Sequence, residues 1–383
     1  MNGPASVEIL GEDDELARIA EPWRELAESR GNAFVTPEWF MAWRRHYGSG
    51  AVPVVAAVRD RAGELVGVVP LQLSRRGGVR LLRFGGSNLG DNFHAAAREE
   101  DEALVWQAAG GELSQRRDWG AILLERIPVE AEWIDSVAGA GRRALSVIEL
   151  KQDRMPAIEL GGATWEEYLG GRSRKLRSQI RRDMRLLERE HGLRFRLTED
   201  PATLDDDMET FLRLHESRWA DRGGSRSIFE RSREFHRSFA RDALERGWLR
   251  LWLLELESEP VAAWYGWRLG DSYSHYLGGF DPAWANRGLG IIVLARAIQG
   301  AIEEGAGEFD FLLGTESYKL RFATKERQVQ TLALARRFAP SNPILRTDRA
   351  ARNAYSSMPP RLKHAIGRSL GALRERFPSS VER

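Results

Sequence analysis

The chain has 383 residues, a length that fits two domains better than one. Hydrophobic residues make up 42% and charged residues 30%, which is typical of a folded, soluble protein. The net charge is only +1, so no overall field attracts DNA, and the absence of cysteine excludes disulfides, thiolate nucleophiles and cysteine-ligated zinc.

The sequence contains no recognisable targeting or membrane-spanning segment. Residues 1–14 are polar and acidic, without the basic and apolar parts of a signal peptide. The longest apolar run, 288–301, falls short of the roughly 20 residues that cross a bilayer, and it contains Arg296 and Gln299. These features predict a cytoplasmic protein.

The first half begins with two predicted helices. One covers 13–29, and the second starts at Pro37 with Thr36 as its N-cap. Alternating apolar patterns then predict a strand meander, followed by a helix and a further strand. These later elements are strands 52–58, 65–73 and 79–84, helix 99–113 and strand 121–125.

The second half repeats this order, which indicates a duplicated unit. Its predicted elements are helices 165–187, 204–219 and 232–246, strands 249–256, 261–268 and 272–280, helix 288–304, and strands 309–313 and 329–336. A meander followed by strand, helix and strand is typical of an α+β fold. We therefore divide the chain into halves at 1–160 and 161–340, with a basic helical tail at 341–383.

A glycine-containing turn, FDPAWANRGLG at 280–290, leads from a predicted strand into a helix. Gly288 and Gly290 leave backbone N–H groups uncovered at the helix start, where the dipole and Arg287 suit a pyrophosphate. A plain loop with unusual glycine backbone angles is the alternative. The turn lacks the third glycine of a dinucleotide fingerprint and the Gly-Lys-Ser/Thr of a P-loop.

The segment FDFLLGTESYK, at 309–319, follows that helix. Its apolar strand ends at Gly314, and Thr315 is the predicted cap of a helix whose first turns contain Tyr318 and Lys319. A lysine at this position opposes the helix dipole. From the residues alone, a solvated lysine and a tyrosine that covers the sheet are the favoured interpretation.

Together these segments resemble the GNAT superfamily, and in particular the BioF2-like (CelD/FemAB-type) acyltransferases. FDFLLGTESYK carries the most recognisable part of the resemblance, and LHESRWADRG (214–223) and YLGGFDPAW (276–284) are similar too. The resemblance covers roughly residues 160–335, and the first half only in its layout. It implies an α+β fold of two tandem GNAT-like acyl-CoA N-acyltransferase domains, with mixed β-sheets flanked by helices.

The resemblance also implies a binding site for the acyl donor. GNAT enzymes bind the coenzyme A pyrophosphate at a turn of the form Gln/Arg-x-x-Gly-x-Gly/Ala. By this resemblance the donor-binding residues are Arg287, Gly288, Leu289 and Gly290. Ala285 departs from the family pattern, because Gln or Arg is expected at that position.

Acyl transfer to an amine requires deprotonation of the amine, stabilisation of an oxyanion and protonation of the leaving group. The resemblance assigns oxyanion stabilisation to Lys319. Asp310 and Glu316 are candidate bases, directly or through water, and Tyr318 is a candidate acid.

A basic run, RSRKLRSQIRRDMR, begins at Arg172. On a helix its apolar residues form a buried stripe at Leu176, Ile180, Met184 and Leu187. Arg177 and Arg181 fall on another face, which is either a solvated charged face or a site for a phosphorylated acceptor or donor. These two arginines are therefore candidate substrate-binding residues.

Trp219, His275 and Tyr276 complete the candidate substrate-binding set. His275 and Tyr276 are adjacent in a predicted strand, so they point to opposite faces and only one of them faces a cleft. In the first half, Asp91 lies in the segment 87–94, which is either a loop that reaches a cleft between the halves or a plain turn.

The leading hypothesis is therefore an acyltransferase with acyl-CoA as co-substrate and no permanently bound cofactor. Its predicted partners are acyl-CoA or an acyl carrier protein, and a small-molecule or peptide amine acceptor. Two alternatives remain open. One is aminoacyl transfer from a charged tRNA, as in FemAB-like enzymes. The other is a non-catalytic partner in exopolysaccharide assembly, which the departure at Ala285 favours.

Two other classes of enzyme lack support in the sequence. The histidines are scattered, which argues against a metal site, and no Gly-x-Ser-x-Gly elbow supports a serine hydrolase.

Overall fold

A computed structural model describes residues 6–76, 79–139, 145–219 and 226–336. The predicted basic tail at 341–383 lies outside these residues. The strands are β1 (Ser6–Leu10), β2 (Val52–Arg59), β3 (Leu65–Arg76), β4 (Val79–Phe84), β5 (Ala96–Ala97), β6 (Ala121–Pro128), β7 (Leu145–Glu159), β8 (Arg194–Leu197), β9 (Leu249–Leu256), β10 (Glu259–Leu269), β11 (Ser272–Phe280), β12 (Glu308–Asp310) and β13 (Lys325–Arg336).

Helices flank the sheet formed by these strands. They are α1 (Asp13–Glu28), α2 (Pro37–Tyr47), α3 (Glu102–Gln115), α4 (Trp133–Gly139), α5 (Trp165–Gly170), α6 (Arg174–His191), α7 (Leu204–Trp219), α8 (Arg226–Glu245), α9 (Leu289–Glu303) and α10 (Ser317–Phe322). Among the described residues, no helix is both long and apolar enough to cross a bilayer.

The 13 strands form one mixed sheet in the order β1-β2-β3-β4-β6-β13-β7-β12-β11-β10-β9-β8, with β5 paired to β3. Each half contributes four antiparallel strands followed by one parallel pair, β4 with β6 and β11 with β12. The last strand of each half then pairs with the other half, since β7 lies beside β12 and β13 lies beside β6. The predicted α+β fold with a mixed, helix-flanked sheet is confirmed, and the two halves share that sheet. The boundary at 160/161 stays a prediction.

Local sequence signals explain several elements at their predicted positions. The Thr36 side chain accepts a hydrogen bond from the Trp39 backbone N–H at 3.2 Å, and Pro37 occupies the first position of α2. α7 and β11 have the predicted bounds, and the turn at Gly270 joins β10 to β11. In α6 the predicted stripe is buried at Leu176, Ile180 and Leu187, while Met184 is half-buried.

Other predicted elements were wrong. The helix predicted over 165–187 is broken into α5 and α6, because Gly170 and Gly171 end the first helix and Ser173 caps the second by accepting from Leu176 N at 3.3 Å. Thr315 does not cap α10, which begins at Ser317 with Glu316 as its N-cap residue. The sequence analysis also missed the central strand β7, whose charged middle hides the strand pattern.

An aromatic cluster joins the two halves on one face of the sheet. The Trp39 ring of α2 makes edge contacts with Phe235 and Phe239 of α8, at ring-centroid distances of 4.8 and 5.0 Å. Trp267 of β10 packs against the same ring at 6.0 Å. These rings are fully buried or nearly so, and their burial favours one fixed arrangement of the halves.

Candidate functional site

The candidate site lies where two parallel strands separate. β11 pairs with β12 only from Ser272 to Ser274, opposite Glu308 to Asp310. Beyond that point β11 continues along β10, and the chain after β12 turns away, so a gap opens between them. A cavity of about 230 Å³ occupies this gap beside the start of α9. Its lining residues are Arg218, Ala263, Trp264, His275, Gly278, Gly279, Phe280, Ala285, Gly288, Leu289, Gly290, Ile291, Val293, Leu294 and Tyr318.

The glycine turn forms one wall of this cavity. A 3-10 turn over Pro282–Arg287 ends at Gly288, which has a φ of 70° and is the N-cap residue of α9. This left-handed conformation favours glycine. The N–H groups of Leu289 and Gly290 lie in the first turn of α9, where no helix carbonyl accepts from them. The structure thus brings Gly288, Leu289 and Gly290 to the cavity.

The predicted donor-binding residue Arg287 does not line the cavity. Its guanidinium instead forms an ion pair with Glu190 at 3.2 Å. Asp183 of α6 also approaches the turn, because its Oδ2 lies 3.0 Å from the position that a Cβ on Gly288 would occupy. Asp183 is buried, and Arg182 Nε donates to its Oδ1 at 2.8 Å. This carboxylate places negative charge near the proposed anion site.

His275 and Tyr318 meet across the cavity. The Tyr318 hydroxyl lies 3.3 Å from His275 Nε2. Burial raises the pKa of Tyr318 to about 12, and burial lowers the pKa of His275 well below its ordinary value, with Lys319 and Arg218 acting in the same direction. A protonated phenol therefore faces a neutral imidazole at neutral pH. His275 Nδ1 has no hydrogen-bond partner within the described part of the chain.

Arg218 brings a positive charge to the same cavity from the end of α7. Its Nη1 donates to the Gly278 carbonyl at 3.1 Å, and its guanidinium lies 5.4 Å from the centre of the Phe280 ring. α7 packs closely on β11 here, because a Cβ on Gly279 would lie 2.3 Å from the backbone nitrogen of His215. The absence of a side chain at Gly279 thus allows Arg218 to reach the gap.

Lys319 is buried beside the cavity and does not line it. Its Nζ donates to the Leu313 carbonyl at 2.5 Å and lies 3.1 Å from Glu316 Oε2. Glu316 is about half exposed, whereas Lys319 is 5% exposed. Of the four predicted catalytic residues, Tyr318, Lys319 and Glu316 therefore lie together on one helical turn.

Asp310, the fourth predicted catalytic residue, is buried at the end of β12 and away from the cavity lining. It forms an ion pair with Arg327 and accepts from the Leu312 N–H at 2.7 Å. Burial raises the pKa of Asp310 to about 6, although Arg327 acts in the opposite direction. Leu312 has a φ of 58°, a strained conformation for a branched side chain that the contact with Asp310 helps to hold.

A loop of the first half closes one side of the gap. Asp91 Oδ2 accepts from the Leu313 N–H at 3.4 Å, and the Tyr276 hydroxyl donates to the Leu89 carbonyl at 2.9 Å. Tyr276 thus faces the first half, while its neighbour His275 faces the cavity. Burial raises the pKa of Asp91, and Arg126 opposes that shift. The loop therefore reaches the second half, as one of its two sequence interpretations predicts. A role for Asp91 in binding substrate stays a prediction.

The remaining predicted substrate-binding residues lie outside the cavity lining or outside the described side chains. Arg177 Nη1 donates to the Gly170 carbonyl at 2.5 Å, and Arg181 forms an ion pair with Glu166 at 2.7 Å. Trp219 is the last residue of α7, and its side chain lies outside the described part of the protein. The roles of these residues stay predictions.

The corresponding gap of the first half is filled by its own side chains. β4 and β6 also pair over only three positions, from Leu81 to Arg83. Arg83, the last of these positions, forms a two-point ion pair with Glu125, and Ser87 donates to the same carboxylate. The loop that follows brings the buried Phe93 ring into a stack on Phe84 at 5.0 Å. The described first half therefore shows a packed counterpart of the site.

Sequence reasoning quoted the segments that contain Arg218, Gly278 and Gly279 but assigned these residues no role. The family resemblance could have identified them, because Arg218 lies in LHESRWADRG and the two glycines lie in YLGGFDPAW, two of the segments that carry it. Trp264 lies outside these segments, so the resemblance did not indicate it. Its ring stacks on His275 at a centroid distance of 5.7 Å.

The chain is similar to known proteins in part of its sequence and in its fold. Residues 174–320 match the family model described as an acetyltransferase (GNAT) domain. No curated protein matches the chain. Among solved structures, FemX superposes with a TM-score of 0.62 at 11% identity, over 89% of this chain and 100% of FemX.

Two further solved structures have the same fold. The C-terminal DUF2156 domain of a lysylphosphatidylglycerol synthetase candidate from Agrobacterium fabrum has a TM-score of 0.54 at 15% identity, over 88% of this chain and 96% of that domain. L-PGS from Bacillus licheniformis has a TM-score of 0.54 at 14% identity, with the same coverage of 88% and 96%. The resemblance inferred from the glycine turn and FDFLLGTESYK is confirmed. Residues 174–320 are thus similar to a GNAT acetyltransferase domain, and the fold is similar to that of FemX.

Proposed function

We propose that the protein transfers an acyl group from a thioester, either acyl-CoA or an acyl-carrier-protein conjugate, to an amine on a sugar, amino acid or peptide. The observation that carries this proposal is the cavity between β11 and α9, with the glycine turn at one wall and Tyr318 at another. A match to a GNAT domain over 174–320 supports the same reaction class.

The cavity suits the reacting end of a thioester donor. Apolar side chains form part of its lining, including Trp264, Val293 and Leu294, and these favour an acyl or pantetheine chain over water. The uncovered N–H groups of Leu289 and Gly290 supply donors for a phosphate at the start of α9. Arg218 adds a cation at the edge of the same space.

Tyr318 is the candidate donor to the leaving group. In the reaction the amine nitrogen attacks the thioester carbon, an oxyanion forms, and the carbon–sulfur bond then breaks. A phenol with a pKa near 12 stays protonated at neutral pH and can donate a hydrogen bond to the departing sulfur. The Tyr318 hydroxyl lies 3.3 Å from His275 Nε2. With the imidazole proton on Nε2, the histidine donates to the phenol oxygen, and the phenol proton is left for the sulfur.

Lys319 is the candidate group for oxyanion stabilisation. Its ammonium has three N–H donors, of which the Leu313 carbonyl and Glu316 occupy two. We propose that the third donor, from a buried position next to Tyr318 and outside the cavity lining, stabilises a developing oxyanion. Glu316, half exposed on the same turn, is better placed than the buried Asp310 to take a proton from an incoming amine.

A thiol-release assay tests the proposal. Acetyl-CoA, a long-chain acyl-CoA and an acylated carrier protein are each incubated with the protein and a panel of amino sugars, amino acids and short peptides. We expect free thiol to appear only when both a donor and a suitable amine are present, and the acylated amine to appear in equal amount. Absence of thiol release and of acylated product from every donor would contradict the proposal.

A second candidate is aminoacyl transfer from a charged tRNA. The observation that favours it is Asp183, whose buried carboxylate lies beside the turn where a pyrophosphate would bind. A tRNA donor presents an ester and needs no pyrophosphate at this turn. Salt-sensitive binding of aminoacyl-tRNA, with no binding of coenzyme A, would select this candidate.

A further inference from the structure

The 87–91 loop of the first half connects the two walls of the gap in the second half. On one wall, the Tyr276 hydroxyl of β11 donates to the Leu89 carbonyl at 2.9 Å. On the other wall, the Leu313 N–H donates to Asp91 Oδ2 at 3.4 Å. One short loop therefore contacts both sides of the gap at the end where the strands no longer pair.

Contacts within the first half hold this loop in place. Arg126 Nη1 donates to the carbonyls of Ser87, at 2.8 Å, and of Gly90, and it lies 3.7 Å from Asp91 Oδ1. Arg126 itself has a φ of 55°, in a bulge of β6. Such a conformation persists when surrounding contacts determine it, so the loop and the bulge stabilise one another.

Each residue that the loop contacts is linked to a group that has a role in the proposed reaction or lines the cavity. Tyr276 is the bulged residue of β11, because no residue of β10 lies opposite it in the strand register. It follows His275 directly in the chain. Leu313 donates its N–H to Asp91 and accepts at its carbonyl from Lys319 Nζ. A shift of the loop would therefore move His275 through Tyr276 and Lys319 through Leu313.

We propose that the 87–91 loop is a positioning element of the transferase site, with Asp91 setting the position of Lys319 through Leu313. This inference rests on the proposed function for its effect on catalysis. The first half, whose own gap is packed, thereby takes part in the reaction of the second half without contacting the reacting atoms. Displacement of a catalytic group by about 1 Å can lower a rate by about a hundredfold.

The test compares three substitutions in the full chain with a matched control. Asp91→Ala removes the acceptor for the Leu313 N–H, and Asp91→Asn keeps an acceptor oxygen but removes the charge. Tyr276→Phe removes only the hydroxyl that reaches Leu89. Asp118→Asn is the control, because it changes a carboxylate of the first half that pairs with Arg116.

Two measurements are made on each variant: hydrogen exchange by mass spectrometry on peptides that contain Leu313, and kcat and KM in the thiol-release assay. We expect Asp91→Ala to speed exchange at Leu313 and to lower kcat by about ten- to a hundredfold, with KM for the donor changed less than about twofold. Asp91→Asn restores most of the protection and part of kcat, Tyr276→Phe lowers kcat less, and the control behaves as wild type.

Unchanged exchange at Leu313 in Asp91→Ala overturns the inference, as does faster exchange with wild-type kcat. Faster exchange throughout the first half, with kcat falling only as the folded fraction falls, also overturns it, since that is the result of general destabilisation. Absence of thiol release from the wild type contradicts the proposed function instead, and the exchange at Leu313 alone then decides whether Asp91 positions this segment.

Discussion

The Tyr318 hydroxyl lies 3.3 Å from His275 Nε2, so a side chain of α10 meets a side chain of β11 across the gap where β11 and β12 separate. Two hydrogen bonds hold the C-terminal end of α10 in place. The Tyr168 hydroxyl and Arg172 Nη1 both donate to the Phe322 carbonyl, at 2.8 and 3.1 Å. These contacts hold the Tyr318 hydroxyl opposite His275.

Tyr318→Phe tests the role of the hydroxyl. We expect kcat for thiol release to fall by about a hundredfold, because the leaving sulfur loses its hydrogen-bond donor, while donor affinity stays near wild type. Tyr273→Phe is the matched control, since it removes a buried hydroxyl of β11 that contacts Glu304 at 3.1 Å, away from the cavity lining. Wild-type kcat in Tyr318→Phe would exclude this hydroxyl from the reaction.

Ala285→Arg tests whether the donor carries a pyrophosphate. Ala285 lines the cavity at the position where the family resemblance places Gln or Arg. We expect the new guanidinium to tighten coenzyme A binding by about tenfold, as one charge-assisted hydrogen bond would. Calorimetric titration measures the affinity, and Ala283→Arg, on the same turn but off the cavity lining, is the control. Equal affinity in the two variants would count against a pyrophosphate at this turn.

Gly279→Ala tests the close packing of α7 on β11. The added methyl would lie 2.3 Å from the His215 nitrogen, so α7 must move and the free energy of unfolding should fall by about 2 kcal/mol or more. In Gly278→Ala the nearest atom is the Ala263 carbonyl oxygen at 3.4 Å, an ordinary contact, so we expect a much smaller loss. Urea unfolding of both variants provides the comparison. Equal stability losses would show that α7 accommodates the methyl.

Asp310→Asn tests a pH dependence of stability. The folded-state pKa of Asp310 is about 6, above its ordinary 3.8, so the folded protein holds this proton more tightly than the unfolded chain does. The free energy of unfolding of the wild type should therefore fall as the pH rises from about 4 through 6, by on the order of 3 kcal/mol from this group. Asp310→Asn has no carboxyl group at this position, so its free energy of unfolding lacks this pH-dependent contribution. Urea unfolding at pH 4.5 and 7 should show a difference between the two proteins that changes with pH, and a constant difference would contradict the shift.

The sequence predicted the parts of the fold that have strong local signals. The helix over 204–219 and the strand over 272–280 matched because apolar periodicity and turn residues mark both ends. Strand β7 was missed because Lys151, Asp153 and Arg154 interrupt its apolar pattern, although its backbone pairs with strands on both sides. Pairing with both neighbours is a long-range property, and local patterns do not record it.

Only those parts of the site that lie in contiguous sequence motifs were predictable. The glycine turn and Tyr318 were found from contiguous segments, and both line the cavity. The contact of Asp91 with Leu313 joins residues 222 positions apart and depends on how the halves pack. Likewise Arg287 has the charge that a phosphate needs, yet its side chain turns to Glu190, because α6 provides a carboxylate within 3.2 Å.

The most direct test of the central claim, that the cavity between β11 and α9 binds a thioester donor, is native mass spectrometry of the protein titrated with coenzyme A, acetyl-CoA and a long-chain acyl-CoA. Gly290→Trp fills the cavity, while Gly290→Ala places a methyl at an ordinary 3.7 Å from Phe280 and serves as its control. We expect wild type and Gly290→Ala to retain one ligand and Gly290→Trp to retain none. No retained ligand in the wild type, or equal retention in Gly290→Trp, would contradict the claim.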